Sequence, residues 1–157
     1  MKIRKGENAM KIGIANDHAG VEYKNTIKNF LEENGHKVYN YGTDSEDSFD
    51  YPLAAKELAK HIKKNDCELG IAICGTGAGI SMACNKVNGI RAACCSEEMT
   101  AHLMREHNNA NIVCIGARIV TIDKALEIVN EFINTSFSAE ERHIRRIDEI
   151  EEIEKEN

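Results

Sequence analysis

Short apolar runs and longer amphipathic stretches alternate along this chain. Five runs, at 11–15, 37–41, 69–73, 90–94 and 111–115, predict strands buried on both faces. The stretches between them carry apolar residues at helical spacing. Residues 21–34 present Val21, Ile27, Phe30 and Leu31 and stop before Gly35, a residue suited to the left-handed turn after a helix. Residues 52–64 open with Pro52, which suits a first helical turn, and bury Leu53, Leu58 and Ile62. A short helix is expected over 79–86. A fourth over 96–107 opens with Ser96 and two acids, and a fifth over 121–134 opens with Thr121 as its cap. The tail, 139–157, has isoleucines at 144, 147, 150 and 153. That spacing drifts around a helix and predicts an amphipathic segment resting on another surface, such as a partner subunit's.

Strand–helix alternation of this kind calls for a parallel sheet covered on both faces. The expected fold is a three-layer α/β/α, Rossmann-like domain over residues 10–157 with a five-stranded parallel sheet. The first nine residues, MKIRKGENA, are polar and precede the periodic pattern, so they are expected to form a disordered leader. Such sheets bind ligands at the carboxyl ends of their strands. The residues after each apolar run are therefore the ones to inspect: 16–20, 42–51, 74–79, 96–98 and 116–118.

Composition narrows the partners. The net charge is -6, which disfavours nucleic acid as a main partner. No apolar run approaches the ~20 residues of a membrane span, and the start of the chain lacks the apolar core of a signal peptide. Six cysteines without paired metal-ligand spacing suggest reduced thiols in a cytoplasmic protein, most of them packed as small hydrophobes.

Four clusters carry candidate chemistry. The first is ICGTGAGIS, residues 73–81. Gly75, Gly77 and Gly79 allow backbone N–H groups to turn toward an anion, although the loop lacks the Lys-Ser/Thr of a Walker motif and the third glycine of GxGxxG. Cys74 at its lip is either an inert strand-end thiol or a base or nucleophile favoured by the nearby helix N-terminus. The second is Asp17-His18, a capping acid with a surface histidine, or a polar pair at the mouth of a site. The third is His107-Asn108, leading into the fifth strand, with Arg118 beyond that strand's far end. The fourth is Arg142, His143, Arg145 and Arg146, of which Arg142 and Arg146 lie one helical turn apart. They suit a phosphate, or salt bridges to Glu140, Glu141, Asp148 and Glu149.

Read in order, five stretches resemble type B ribose-5-phosphate isomerases and the wider group that includes galactose-6-phosphate isomerase subunits. They are NDHAG (16–20), YGTDSEDSFDYP (41–52), ICGTGAGISMACNKVNGIRAA (73–93), REHNNANIVCIGARIV (105–120) and RHIRRID (142–148). The resemblance implies that Cys74 is the base that removes a proton beside the carbonyl of an open-chain sugar. It implies that Gly75, Thr76, Gly77, Ala78 and Gly79 hold the enediolate, and that His107 helps open the furanose ring. Asp17 and Thr76 would act at the ring oxygen and hydroxyls. His18, Asn108, Arg118, Arg142 and Arg146 would bind the ligand, with the arginines mainly on phosphate. It further implies the pentose phosphate pathway, no cofactor, no metal, and a homodimer or homotetramer whose subunits share each site. Glu140 and Glu141 stand where that family usually has two glycines, and the 118–142 spacing is one residue longer than usual. The alternatives are a galactose- or allose-6-phosphate isomerase, or a non-catalytic sugar-phosphate sensor on the same fold.

Overall fold

The computed structural model describes residues 9–157. The expected leader over 1–9 therefore lies, apart from Ala9, outside the described residues. Among these, five strands form one parallel sheet: β1 (Lys11–Asn16), β2 (Lys37–Asn40), β3 (Leu69–Cys74), β4 (Ala92–Cys94) and β5 (Ile112–Gly116). Their order is β2-β1-β3-β5-β4. Six α-helices accompany them: α1 (Val21–Glu33), α2 (Tyr51–Lys63), α3 (Ala78–Cys84), α4 (Glu98–Glu106), α5 (Ile122–Asn134) and α6 (Glu141–Glu156). A 3-10 turn, His18–Gly20, joins β1 to α1. No helix among the described residues is long and apolar enough to cross a membrane.

The two faces of the sheet are packed differently. Ile12, Ile14, Ile71, Ile73, Val113 and Ile115 meet Ile27 and Leu31 of α1, Met104 of α4, and Ile128, Val129 and Phe132 of α5. Each such side chain contributes about 1.5–3 kcal/mol of burial. The opposite face is built from small residues, Ala15, Ala72 and Cys114, against Ala54, Ala55, Leu58 and Ala59 of α2 and Ile80 of α3. Gly13 belongs to that economy of space, because a Cβ there would come 2.6 Å from Leu58 Cδ1. This is the α/β/α Rossmann-like sandwich that the alternating pattern calls for.

The chain reverses direction across the sheet between β1 and β3, where a ligand crevice opens at the strands' carboxyl ends. The register puts Cys74 opposite Gly116, and Asn16 opposite Ile73. The ends of β1, β3 and β5 thus meet at one edge.

The tail helix α6 is not wholly without a surface of its own. His143 and Ile147 are buried. Arg91 Nη1 lies 3.7 Å from Glu151, and the Gly89 amide donates to the Glu154 carboxylate at 3.1 Å. Ile150 and Ile153 face Ile90 and Ala92 across a groove of about 420 Å³ beside the β4 edge. Ile144, Ile150 and Ile153 nevertheless keep 42%, 41% and 60% of their surface exposed, so α6 is only partly covered by its own chain.

Candidate active site

The most local part of the site is the turn after β3. Cys74 ends the strand with its side chain buried. The chain then turns through Gly77, whose φ of 78° lies in the left-handed region that favours glycine. Space forbids a side chain there too, since a Cβ would stand 2.8 Å from Cys94 Sγ. The turn brings the Gly77 amide back toward the strand, where it donates to Cys74 Sγ at 3.2 Å. Thr76 Oγ1 accepts from the Ala78 amide at 3.3 Å while the residue stays exposed. Arg118 follows β5 and is held by its own amide, which donates to the Gly75 carbonyl at 2.9 Å. Its Nη1 lies 3.0 Å from where a Cβ of Gly75 would be, so the guanidinium covers that glycine. Gly79 is likewise covered by the Tyr51 ring.

Asp17 and His18 stand beside this turn. The Asp17 amide donates to the Ile73 carbonyl at 3.1 Å, directly before Cys74. The carboxylate accepts from the Ala19 amide at 2.9 Å and so caps the 3-10 turn. Both readings of Asp17 are therefore compatible: it caps, and it is at the mouth of the crevice. His18 Nδ1 lies 3.1 Å from the Phe49 amide and 3.3 Å from the Phe49 carbonyl. Asp17, His18, Phe49, Asp50, Tyr51 and Leu53 line a cleft of about 420 Å³.

The remaining candidates are elsewhere. α4 runs back from the carboxyl edge, so His107 and Asn108 sit at the amino edge of the sheet, before β5 begins. The five residues of β5 put that corner about 13 Å or more from the Cys74 turn. Arg91 fixes the corner, with Nε donating to the Asn108 carbonyl at 3.1 Å and Nη2 to the Asn109 carbonyl at 3.0 Å. The first turn of α6 lies against it. The rings of His107 and His143 are 4.3 Å apart, and Arg142 and Arg146 flank His143, both exposed. His143 is buried, and that burial, with the His107 charge, pushes its imidazole below the ordinary histidine range. Glu106 lies 3.3 Å from His107 Nε2, and Glu140 takes Arg142 Nε at 2.9 Å.

The thirteen candidates thus form two groups. Asp17, His18, Gly75, Thr76, Gly77, Ala78, Gly79 and Arg118 gather around Cys74. His107, Asn108, Arg142 and Arg146 gather at the opposite, amino edge of the sheet. Tyr51 and Cys94, which the sequence reading did not single out, also belong to the first group, and His143 of the fourth cluster belongs to the second.

Residues 12–150 match the sequence profile of the Ribose/Galactose Isomerase family. The chain belongs to that family. A probable ribose-5-phosphate isomerase B of Mycoplasma genitalium is 43% identical over 150 residues, covering 94% of this chain and 98% of the relative. The ribose-5-phosphate isomerase B of Escherichia coli is 40% identical, covering 92% and 96%. Among solved structures, the Clostridium thermocellum ribose-5-phosphate isomerase B superposes with a TM-score of 0.92 at 46% identity, covering 94% of this chain and 99% of that one. The Mycoplasma genitalium structure, with bound ribulose 5-phosphate, gives 0.89 at 43% identity, covering 94% and 97%. The ribose/galactose isomerase fold thus extends over both groups of candidate residues.

Proposed function

We propose that this protein interconverts ribose 5-phosphate and ribulose 5-phosphate as a metal-free aldose–ketose isomerase of the cytoplasm. The observation that carries the reading is the thiol at the end of β3 with the Gly77 amide already aimed at its sulfur. In the open-chain aldose, the Cys74 thiolate takes the proton from the carbon beside the carbonyl. The electron pair left behind makes the enediolate. Its negative oxygen is met by amides of the 75–79 turn, where charge develops in the transition state. The proton returns to the neighbouring carbon, and a hydroxyl proton passes between the two oxygens, so the net change is a shifted carbonyl. Arg118 stands over the turn as the near cation. Asp17 and Thr76 offer acceptors to the sugar hydroxyls.

Ring opening needs an acid, and phosphate needs a stronger grip. His107, with Arg142 and Arg146, provides both, but from the opposite edge of the sheet. One subunit cannot close the site alone. We take the Cys74 group of one subunit and the His107 group of a second to form each active site. Leu53, Met82, Met99 and Ile119, at 59–67% exposure near the crevice, are the apolar surface such a partner would cover.

The test is turnover of ribose 5-phosphate in excess EDTA by the wild type and by Cys74→Ala. The expected result is wild-type activity insensitive to EDTA and a loss of about 100-fold or more in the variant, the scale of removing a catalytic base. A variant as active as the wild type would remove Cys74 from its assigned role.

A further inference from the structure

One buried charge has no part in that mechanism. Lys24, on α1, has no solvent exposure. Its ammonium donates to the Thr43 carbonyl at 3.0 Å and pairs with the Asp44 carboxylate. The Thr43 carbonyl also accepts from Asn16 Nδ2 at 3.0 Å, so both of its lone pairs are engaged. The same Asn16 amide group donates to the Asp17 carbonyl at 2.8 Å, and Asn16 is itself fully buried. Asn40 Nδ2 adds a bond to Asp44 at 2.8 Å. The connection from β2 to α2, residues 41–50, is therefore pinned near its start to α1 and to the end of β1. Near its other end it meets His18 through Phe49.

Burying an ammonium is expensive, and an apolar side chain of similar size at such a position is often as stable or more so. Stability alone is a poor account of Lys24. What the charge supplies is direction: a fixed reach from α1 to two successive residues of the loop that forms one wall of the cleft. We propose that Lys24 is a positioning residue, which anchors the 41–50 loop and through it holds Asp17 and His18 in place for the sugar. This rests on the function proposed above, since it assigns those two residues to the substrate.

Asp44 permits a test that spares the core, because its side chain is 80% exposed. Hydrogen exchange of amides 42–50 and steady-state kinetics on ribose 5-phosphate are measured for the wild type, Asp44→Ala, Asp44→Glu and Lys24→Met. Leaving the ammonium half-paired is expected to speed exchange in Asp44→Ala and raise KM by about tenfold, with kcat changed less than about twofold. Asp44→Glu recovers most of both effects. Lys24→Met, if it folds, matches or exceeds Asp44→Ala. Unchanged exchange in Asp44→Ala overturns the anchor. Faster exchange with unchanged KM overturns the positioning role. A wild type that does not turn over ribose 5-phosphate counts against the proposed substrate, not against the anchor, which exchange then decides alone.

Discussion

Single side chains at this site owe their roles to different ranges of sequence. Cys74 and Gly77 are three residues apart, and their contact follows from a local turn, so a run of glycines after an apolar strand is enough to find them. Lys24 is the opposite case. On α1 it stands three residues from both Val21 and Ile27, on the buried face, yet the partners that make a charge tolerable there, Thr43 and Asp44, come from a loop some twenty residues later. Tyr51 covers Gly79 for the same kind of reason. Glu140 matters through its neighbour. It stands where the resemblance leads one to expect glycine, and its carboxylate takes Arg142 Nε. Both side chains are more than half exposed, at 54% and 56%, so the pair contributes at most about 1 kcal/mol. Under the proposed function, a substrate phosphate would have only a weak competitor to displace. Glu140→Gly is therefore expected to lower KM for ribose 5-phosphate by about two- to fivefold at low salt, with kcat nearly constant. The advantage should shrink as added salt screens the exposed pair. Glu140 makes no side-chain capping bond to α6, and glycine is tolerated at such a position, so the helix itself should survive. An unchanged KM would mean that Arg142 does not hold the phosphate.

At the level of elements, the pattern of apolar runs was sufficient for every strand and helix, while their ends depended on side chains reaching in from elsewhere. β4 begins at Ala92 rather than at 90, because the Arg91 amide donates to Asn111 Oδ1 at 2.8 Å instead of to a strand carbonyl. Asn85 engages both the amide and the carbonyl of Ala92, each at 2.8 Å, and so blunts this edge strand. α4 is capped by Glu97 and not by Ser96, since it is the Glu97 carboxylate that reaches the Thr100 amide. The cap at Thr121 is as expected. α6 carries the element whose stability should respond to pH. His143 docks its first turn, with Nδ1 2.8 Å from Ser138 Oγ and its ring against His107. Burial lowers its pKa below the ordinary 6.5; His107, Arg142 and Arg146 push the same way, and Glu140 opposes them. The undocked chain therefore binds the proton more readily, and docking is favoured above that value and lost as pH falls through it. Exchange of amides 141–147, corrected for intrinsic rates, should accelerate between about pH 7.5 and pH 5.5. In His143→Gln the slope should vanish. A slope that persists would shift the cause to His107.

The whole molecule poses the question that no single chain answers. Cys74 and His107 lie at opposite edges of the sheet, and the rigid β5 between them cannot shorten. Either one of the two has no part in the reaction, or the second comes from another copy. A two-fold arrangement resolves the geometry, because it pairs each Cys74 group with a His107 group twice over. The same arrangement would cover the exposed apolar residues around the crevice. It also makes a prediction that separates the two accounts. Cys74→Ala and His107→Ala should each be nearly inactive as pure homo-oligomers. Unfolded together in equal amounts and refolded, half of the dimers are mixed, and each mixed dimer holds one site with both defects and one with neither. Activity should then return to about one quarter of the wild-type value. Sites confined to one chain would recover nothing, since every chain in the mixture lacks one of the two groups. Recovery in the mixture without recovery on mixing the folded proteins would further show that subunit exchange is slow, as expected of an interface that completes the active site.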